Sequence, residues 1–332
     1  MPDRRPVLAS VDALVAGATS REPLDGPGKS GAVLERVTID GASYVLKHLD
    51  SEGDWTLRAA GIPGSASVEL WRQGVLDDLP DCFNQPIVAV AYDAHRPTRS
   101  ALLMRDVGEH LVPVTDDPIT ADQQDLLLDH MAALHAAFWE KAPRIVTPTD
   151  RYLELSPRMA EAEAALGSDH LVPRLVAQGW PLLEEVAPAL AGVVVPLVHD
   201  PTPLVDALAA TPSTFVHGNW KLDNLGIDDR RRTVLLDWEL PGEGAPLSDL
   251  AWYLAINCRR LPATKERAVE TYRAALESHG VDTGAWWERQ LGLCLVGAMV
   301  QFGWEKALGG YDDELAWWEA RVTEHAHLVV AS

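Results

Sequence analysis

Within Gly26 to Leu49 of this 332-residue chain apolar and polar side chains alternate, whereas from Thr120 onward apolar residues recur at every third and fourth position. A single change of period from 2 to 3.6 predicts a sheet-rich part followed by a helical part, an α+β organisation. The stretch AVLERVTIDGASYVLKHL, residues 32–49, alternates apolar and polar around Asp40-Gly41 and predicts two strands joined by a tight turn. A helix is expected around Ser67–Leu76, then strands at Ile87–Tyr92 and Ala101–Met104. Beyond Thr120, one buried stripe of Leu126, Leu127, Met131, Leu134 and Phe138 predicts a helix over Asp122–Glu140. Further helices are expected at Pro157–Leu166, Val172–Ala187, Thr264–His279, Ala285–Leu308 and Asp313–Leu328. Between them, Ser213–Val216 and Thr233–Leu236 read as a short pair of strands flanking HGNWKLDNLGIDDRRR.

Composition narrows the class of protein. With 47% hydrophobic and 23% charged residues there is ample material for a large core, which excludes a disordered or disulfide-stapled chain. The net charge of −21 argues against nucleic acid as partner. The three cysteines are widely spaced and form no CxxC pair, as expected of a reducing compartment. No apolar leader opens the sequence and no 18 apolar residues run together, so the expectation is a cytoplasmic protein without membrane contact. Acidic residues outnumber basic ones 16 to 11 before residue 110 and 33 to 17 after it. Most of that excess is solvated surface, and it would also attract a cationic small molecule to the helical part.

Three sequence clusters carry chemistry. Gly28-Lys29-Ser30 ends like a Walker A loop, yet the glycine required five residues earlier is Pro23 and a strand follows where a helix should. Gly26, Gly28 and Gly31 fit either an ordinary hairpin or a turn over a nucleotide. Lys47, one of only six lysines against 22 arginines, sits in a strand where a buried ammonium needs an anionic partner. Glu69, on the helix that follows, is the expected partner. The third cluster is decisive. His217-Gly218-Asn219 is followed by Asn224 after four residues and by Asp237, in VLLDWE, thirteen positions later. Phosphoryl transfer needs a group that positions the acceptor hydroxyl, and an amide oxygen and a carboxylate that hold Mg²⁺ against the phosphates.

The segment FVHGNWKLDNLG…VLLDWELPGEGAPLSDLAWYL resembles the aminoglycoside phosphotransferase and choline kinase-like family, in which the loop reads H-G-D-x-x-x-x-N and a later D-W/F-E follows. The resemblance covers most of the chain and looks closest to the actinobacterial members. It implies a bilobal, protein kinase-like α+β fold, with a small antiparallel β-sheet N-lobe that binds nucleotide over 1–105 and a mainly helical C-lobe over 106–332. It implies ATP or GTP as phosphoryl donor, Mg²⁺ as cofactor, and a hydroxyl of a small polar acceptor as target: an aminoglycoside-like antibiotic, an amino sugar or a sugar-like metabolite. By the same resemblance Lys29, Ser30, Gly31 and Lys47 would meet the phosphates and Glu69 would orient Lys47. Met104 and Asp106 would border the adenine, Asn224 and Asp237 would bind the metal, and Asp249 would brace the loop that His217 fixes.

One position departs from the family. Asn219 stands where the family has its catalytic aspartate. An amide keeps the shape of a carboxylate but carries no charge and takes up no proton. Two readings stay open: a kinase impaired by this residue, engineered or natural, and a nucleotide-binding pseudokinase that acts as a regulatory module. Trp220 and Trp238, adjacent to the loop residues, are expected to shape an acceptor pocket, and one tryptophan of each pair at 286/287 and 317/318 is expected to face a groove.

Overall fold

Asp40 and Gly41 both take positive φ, 50° and 78°, and reverse the chain within two residues. A two-residue hairpin that follows the native strand twist needs this backbone, and it sets the register in which Leu34 faces Lys47 and Ile39 faces Ala42. The structure, a computed structural model, describes residues 4–24, 31–61 and 64–330. Two compact units emerge. One comprises 1–113 with 222–240, the other 114–221 with 241–332.

The first unit holds β1 (Ala18–Pro23), β2 (Val33–Ile39), β3 (Ala42–Asp50), β4 (Phe83–Asn84), β5 (Ile87–Asp93) and β6 (Arg96–Arg105). Five of these form an antiparallel sheet in the order β1-β2-β3-β6-β5. Val37, Leu46, Ala91, Ala101 and Leu103 make its apolar cluster, closed by Leu14 of α1 (Val11–Leu14) and by Val15. The same unit carries α2 (Trp55–Ala59) and α3 (Ala66–Gln73). The helix expected to reach Leu76 stops at Gly74, whose φ of 72° takes the left-handed cap, and a 3-10 turn follows at Val75–Asp77.

Strand β7 (Thr214–Val216) belongs to the second unit; β8 (Leu225–Ile227) and β9 (Thr233–Leu235) return to the first, and β10 (Gly242–Gly244) belongs to the second. The strands expected at 213–216 and 233–236 both form, but in different sheets. Strand β9 lies between β4, its parallel neighbour, and β8, its antiparallel one, while β7 pairs with β10. Three-residue strands carry too few side chains to declare a partner, so non-local pairing decides. A boundary near residue 105 therefore leaves out a return: 222–240 groups with the sheet-bearing unit because β9 pairs with Phe83–Asn84.

The second unit is helical: α4 (Ala121–Ala137), α5 (Pro148–Leu153), α6 (Pro157–Ala165), α7 (Leu171–Val186), α8 (Pro188–His199) and α9 (Thr202–Ala209) precede β7. After β10 come α10 (Pro246–Ile256), α11 (Lys265–Ser278), α12 (Trp287–Leu308), α13 (Asp313–His325) and α14 (His327–Val330). Thr120 opens α4 with a reciprocal cap to Gln123. Helix α12 is buried on every side and forms the axis of the unit. Helix α7 crosses it so closely that a Cβ on Gly179 would lie 2.3 Å from the Trp304 carbonyl oxygen. No single described helix is long and apolar enough to cross a membrane.

Candidate active site

In the sheet-bearing unit, Leu46 points into the apolar cluster and Lys47, one residue on, points to the opposite face of β3. Its Nζ lies 2.6 Å from Asp237 Oδ1. Burial pushes the ammonium pKa down, but the carboxylates of Asp237 and Glu239 outweigh burial and hold it above its ordinary value. Asp237 follows β9 and Asn224 precedes β8. These strands are antiparallel, with Leu225 opposite Leu235, so the two residues share one end of the ladder. The Leu236 N–H donates to the Asn224 carbonyl at 2.9 Å and closes that end. Gly226 lets the ladder press on the preceding chain: a Cβ there would lie 2.5 Å from the His110 carbonyl oxygen. Asp237 itself takes φ 65°, a left-handed backbone that a non-glycine residue adopts only where its neighbours enforce it.

The expected Lys47–Glu69 pair does not form. Glu69 accepts from Arg72 Nε at 2.8 Å and from Arg72 Nη2 and Gln73 Nε2 at 2.5 Å, all within α3. An arginine one turn further along the same helix face is the nearer partner. Glu239 is the acid that reaches Lys47's surroundings. It is buried, and burial pushes its carboxyl up to about 7, against the opposing charge of Lys47. Met104 is held in the sheet opposite Val45 and Ile87. Asp106 accepts from Ser43 Oγ at 2.9 Å and Arg36 Nε at 3.2 Å, and its N–H donates to the Ser43 carbonyl. Gly31 takes φ 107°. Lys29 and Ser30, with Gly26 and Gly28, lie outside the described residues.

In the helical unit, Asp249 of α10 is 1% exposed and receives two successive backbone N–H groups. His217 N–H donates to Oδ2 at 2.7 Å and Gly218 N–H to Oδ1 at 2.8 Å. His135 Nε2 is 3.2 Å from Oδ2, and His135 Nδ1 is 2.6 Å from the Tyr272 hydroxyl. Burial alone would raise the Asp249 pKa; His135, His217 and the backbone donors overcome it and hold the carboxylate below its ordinary range. Gly218, at φ 76°, makes the turn that aims both N–H groups at one carboxylate. The Asn219 N–H donates to His217 Nδ1 at 3.2 Å, and the Asn219 carbonyl accepts from the Lys221 N–H at 2.8 Å. The loop backbone is thus fixed on both sides of position 219.

A cavity of about 250 Å³ opens in this unit, with Gly218, Ser248 and Asp249 in its wall. Tyr152, Leu208 and Trp252 supply apolar surface. The Trp252 indole N–H has no hydrogen-bond partner among the described residues. Arg151, also in the wall, is 6% exposed and donates to the carbonyls of Val146 and Glu243. The wall residue Glu243 accepts from Arg144 and Ser213. Trp220 and Trp238, expected to shape an acceptor pocket, are 0% and 1% exposed and do not line this cavity. Trp287 and Trp318 are buried, while Trp286 packs on Trp139 and Trp317 donates to Glu266.

The sequence did not single out Ser65, Ser67, Arg151 or the role of Glu239. For Glu239 a signal existed, since it closes the VLLDWE motif; the others lie in segments with no motif.

An antiparallel sheet unit with a lysine–aspartate pair, and a helical unit with an aspartate-braced H-G-N loop, make a kinase-like α+β fold. A family model described as the phosphotransferase enzyme family (APH) matches residues 36–287, and the chain belongs to that family. Among solved structures it is similar to choline kinase LicA from Streptococcus pneumoniae, at 12% identity over 97% of this chain and 96% of that one, TM-score 0.51. It also matches aminoglycoside phosphotransferase APH(3'')-Id from Streptomyces rimosus, at 19% identity over 87% and 94% of the two chains, TM-score 0.48. A thermostable mutant of APH(4)-Ia, in ternary complex with ADP and hygromycin B, matches at 14% identity over 96% and 97%, TM-score 0.48. No curated protein matches the chain.

Proposed function

We propose that this phosphotransferase moves the γ-phosphoryl group of ATP or GTP to a hydroxyl of a small polar acceptor, and that Asn219 slows the step. The observation that carries this reading is the 2.6 Å contact of Lys47 with Asp237 at the ladder end that also bears Asn224. One carboxylate and one amide are an oxygen-only donor pair, which suits Mg²⁺ sharing its shell with phosphates and water. Bound there, Mg²⁺ would neutralise charge on the triphosphate and on the transferring group. Lys47 would exchange Asp237 for a phosphate oxygen. Asn219, its backbone fixed on both sides, would accept a hydrogen bond from the acceptor hydroxyl through its amide oxygen without removing the proton.

The helical-unit cavity is the reading's acceptor pocket, because its Gly218 wall adjoins Asn219. Its wall holds one buried guanidinium, and its one partly exposed carboxylate is already taken by Arg144. That supports a neutral, hydroxyl-rich acceptor such as a sugar-like metabolite over a polycationic antibiotic. An acceptor atom on the ligand would also satisfy the Trp252 N–H. Incubating the Asn219→Asp variant with Mg²⁺-ATP or Mg²⁺-GTP and a panel of amino sugars, polyols and aminoglycosides, with phosphorylated product read by mass spectrometry, tests this. A phosphorylated neutral acceptor is the expected product; a panel without product, alongside tight Mg²⁺-nucleotide binding, would favour the second reading. That reading is a pseudokinase, and the amide at 219 is the observation behind it.

A further inference from the structure

Helix α3 begins with a serine that does not cap it. Ser65 stands at the N-cap in extended backbone, where a serine oxygen ordinarily accepts from the helix's own first N–H groups, yet it makes no such bond. Its hydroxyl faces Glu239 instead, 3.0 and 3.2 Å from the two carboxyl oxygens. Ser67 Oγ lies 2.6 Å from Glu239 Oε1 and 3.0 Å from the Trp238 carbonyl, one proton serving both. Ser65, Ser67 and Glu239 are all buried.

These bonds bear on a strained position. Asp237 holds φ 65°, and such a backbone persists only where the surroundings over-determine it. On its N-terminal side the pin is the Leu236 N–H to Asn224 carbonyl bond. On its C-terminal side the pins are the serines of α3, which grip the Trp238 carbonyl and the Glu239 carboxyl. Glu69 performs no such linkage, being held by Arg72 and Gln73.

We propose that Glu239, gripped by Ser65 and Ser67, is a positioning residue that clamps α3 to the Asp237 turn and so holds the Lys47–Asp237 geometry on which nucleotide binding depends. This rests on the kinase reading above. The clamp replaces a lysine–glutamate pair between β3 and α3 by a route through the segment after β9. Asp237 and Lys47 touch the ligand; Glu239 acts through them.

The test is Mg²⁺-ATP affinity by calorimetry, well below the melting temperature, for the parent, Glu239→Gln, the Ser65→Ala/Ser67→Ala double variant and the triple variant. Glu239→Gln and the double variant should each weaken binding about ten- to hundredfold, the range for partners that orient a binding residue. The triple variant should be no weaker than the worse of the two, since all three side chains serve one clamp. A merely structural role would lower the melting temperature and leave the affinity of the folded protein unchanged, which overturns the proposal. Parental affinity in the serine variant with a loss in Glu239→Gln also overturns it and assigns Glu239 to the metal. If the parent binds no Mg²⁺-ATP the kinase reading fails, and the clamp is then judged by hydrogen exchange without ligand. Faster exchange over 66–73 and 237–239 in both variants supports it, and unchanged exchange overturns it.

Discussion

At the scale of single residues, Lys47 and Asp237 meet although 190 positions separate them. Asp237→Ala should abolish the gain in ATP affinity that Mg²⁺ provides. The variant should still unfold cooperatively, at a lower temperature because Lys47 loses its partner. Calorimetric titration with and without the metal checks this, and an undiminished metal effect would remove Asp237 from the site. Lys47→Ala should weaken Mg²⁺-ATP binding at least tenfold, whereas Glu69→Ala should change it less than twofold, since among the described residues the Glu69 side chain bonds to Arg72 and Gln73 of its own helix. A Glu69→Ala loss as large as that of Lys47→Ala would contradict the observed pairing. The candidates Lys47, Asn224 and Asp237 were legible because strand position and motif spacing fix them. The partner of Lys47 was not, because a helix presents Glu69 to Arg72 as readily as to the sheet, and sequence does not set that rotation.

At the scale of elements, α4 and even α12, which is buried on nearly every side, were legible, whereas α5, α8, α9 and α10 were not. Helix α4 shows its stripe, and the Asp40-Gly41 turn announces the β2–β3 hairpin. Helix α10 is buried on nearly all faces and, at 11 residues, is half the 22-residue length of the equally buried α12, while α5 and α9 are shorter still and establish no period. Two close approaches give predictions here. Gly179→Ala would raise helix propensity, yet its Cβ would meet backbone of α12 at 2.3 Å. It should therefore destabilise the protein by about 1–3 kcal/mol, as a denaturant midpoint will show; a stabilised variant would mean the two helices can part. Asp249 braces two loop amides from α10. Asp249→Asn would oppose an amide N–H₂ to one of them and leave His135 without its carboxylate, destabilising by about 2–4 kcal/mol. The sign of the pH effect follows from the lowered pKa. The Asp249 contribution is complete above the ordinary carboxylate range and is lost as pH falls through its folded value. Melting temperature against pH should thus fall less steeply on the acid side in Asp249→Asn than in the parent, and parallel acid limbs would refute it.

At the scale of the whole molecule, the change of hydrophobic period announced a sheet-bearing part and a helical part, and the family match over 36–287 reaches into both. The route of the chain between them was not announced. The return of 222–240 to the sheet-bearing unit depends on a two-residue parallel contact between β4 and β9, too small to leave a pattern. That return carries both Asn224 and Asp237, while Asn219 stays with the helical unit, three residues before the crossing at Leu222. Loop and metal candidates are therefore one continuous stretch of chain. The most direct measurement is phosphoryl-transfer kinetics of the parent and Asn219→Asp on the same acceptor, with nucleotide affinity measured alongside. A restored general base should raise kcat by about 10²–10⁴-fold while nucleotide affinity stays the same. An Asn219→Asp variant no faster than the parent, on an acceptor shown to bind, would contradict the phosphotransferase account.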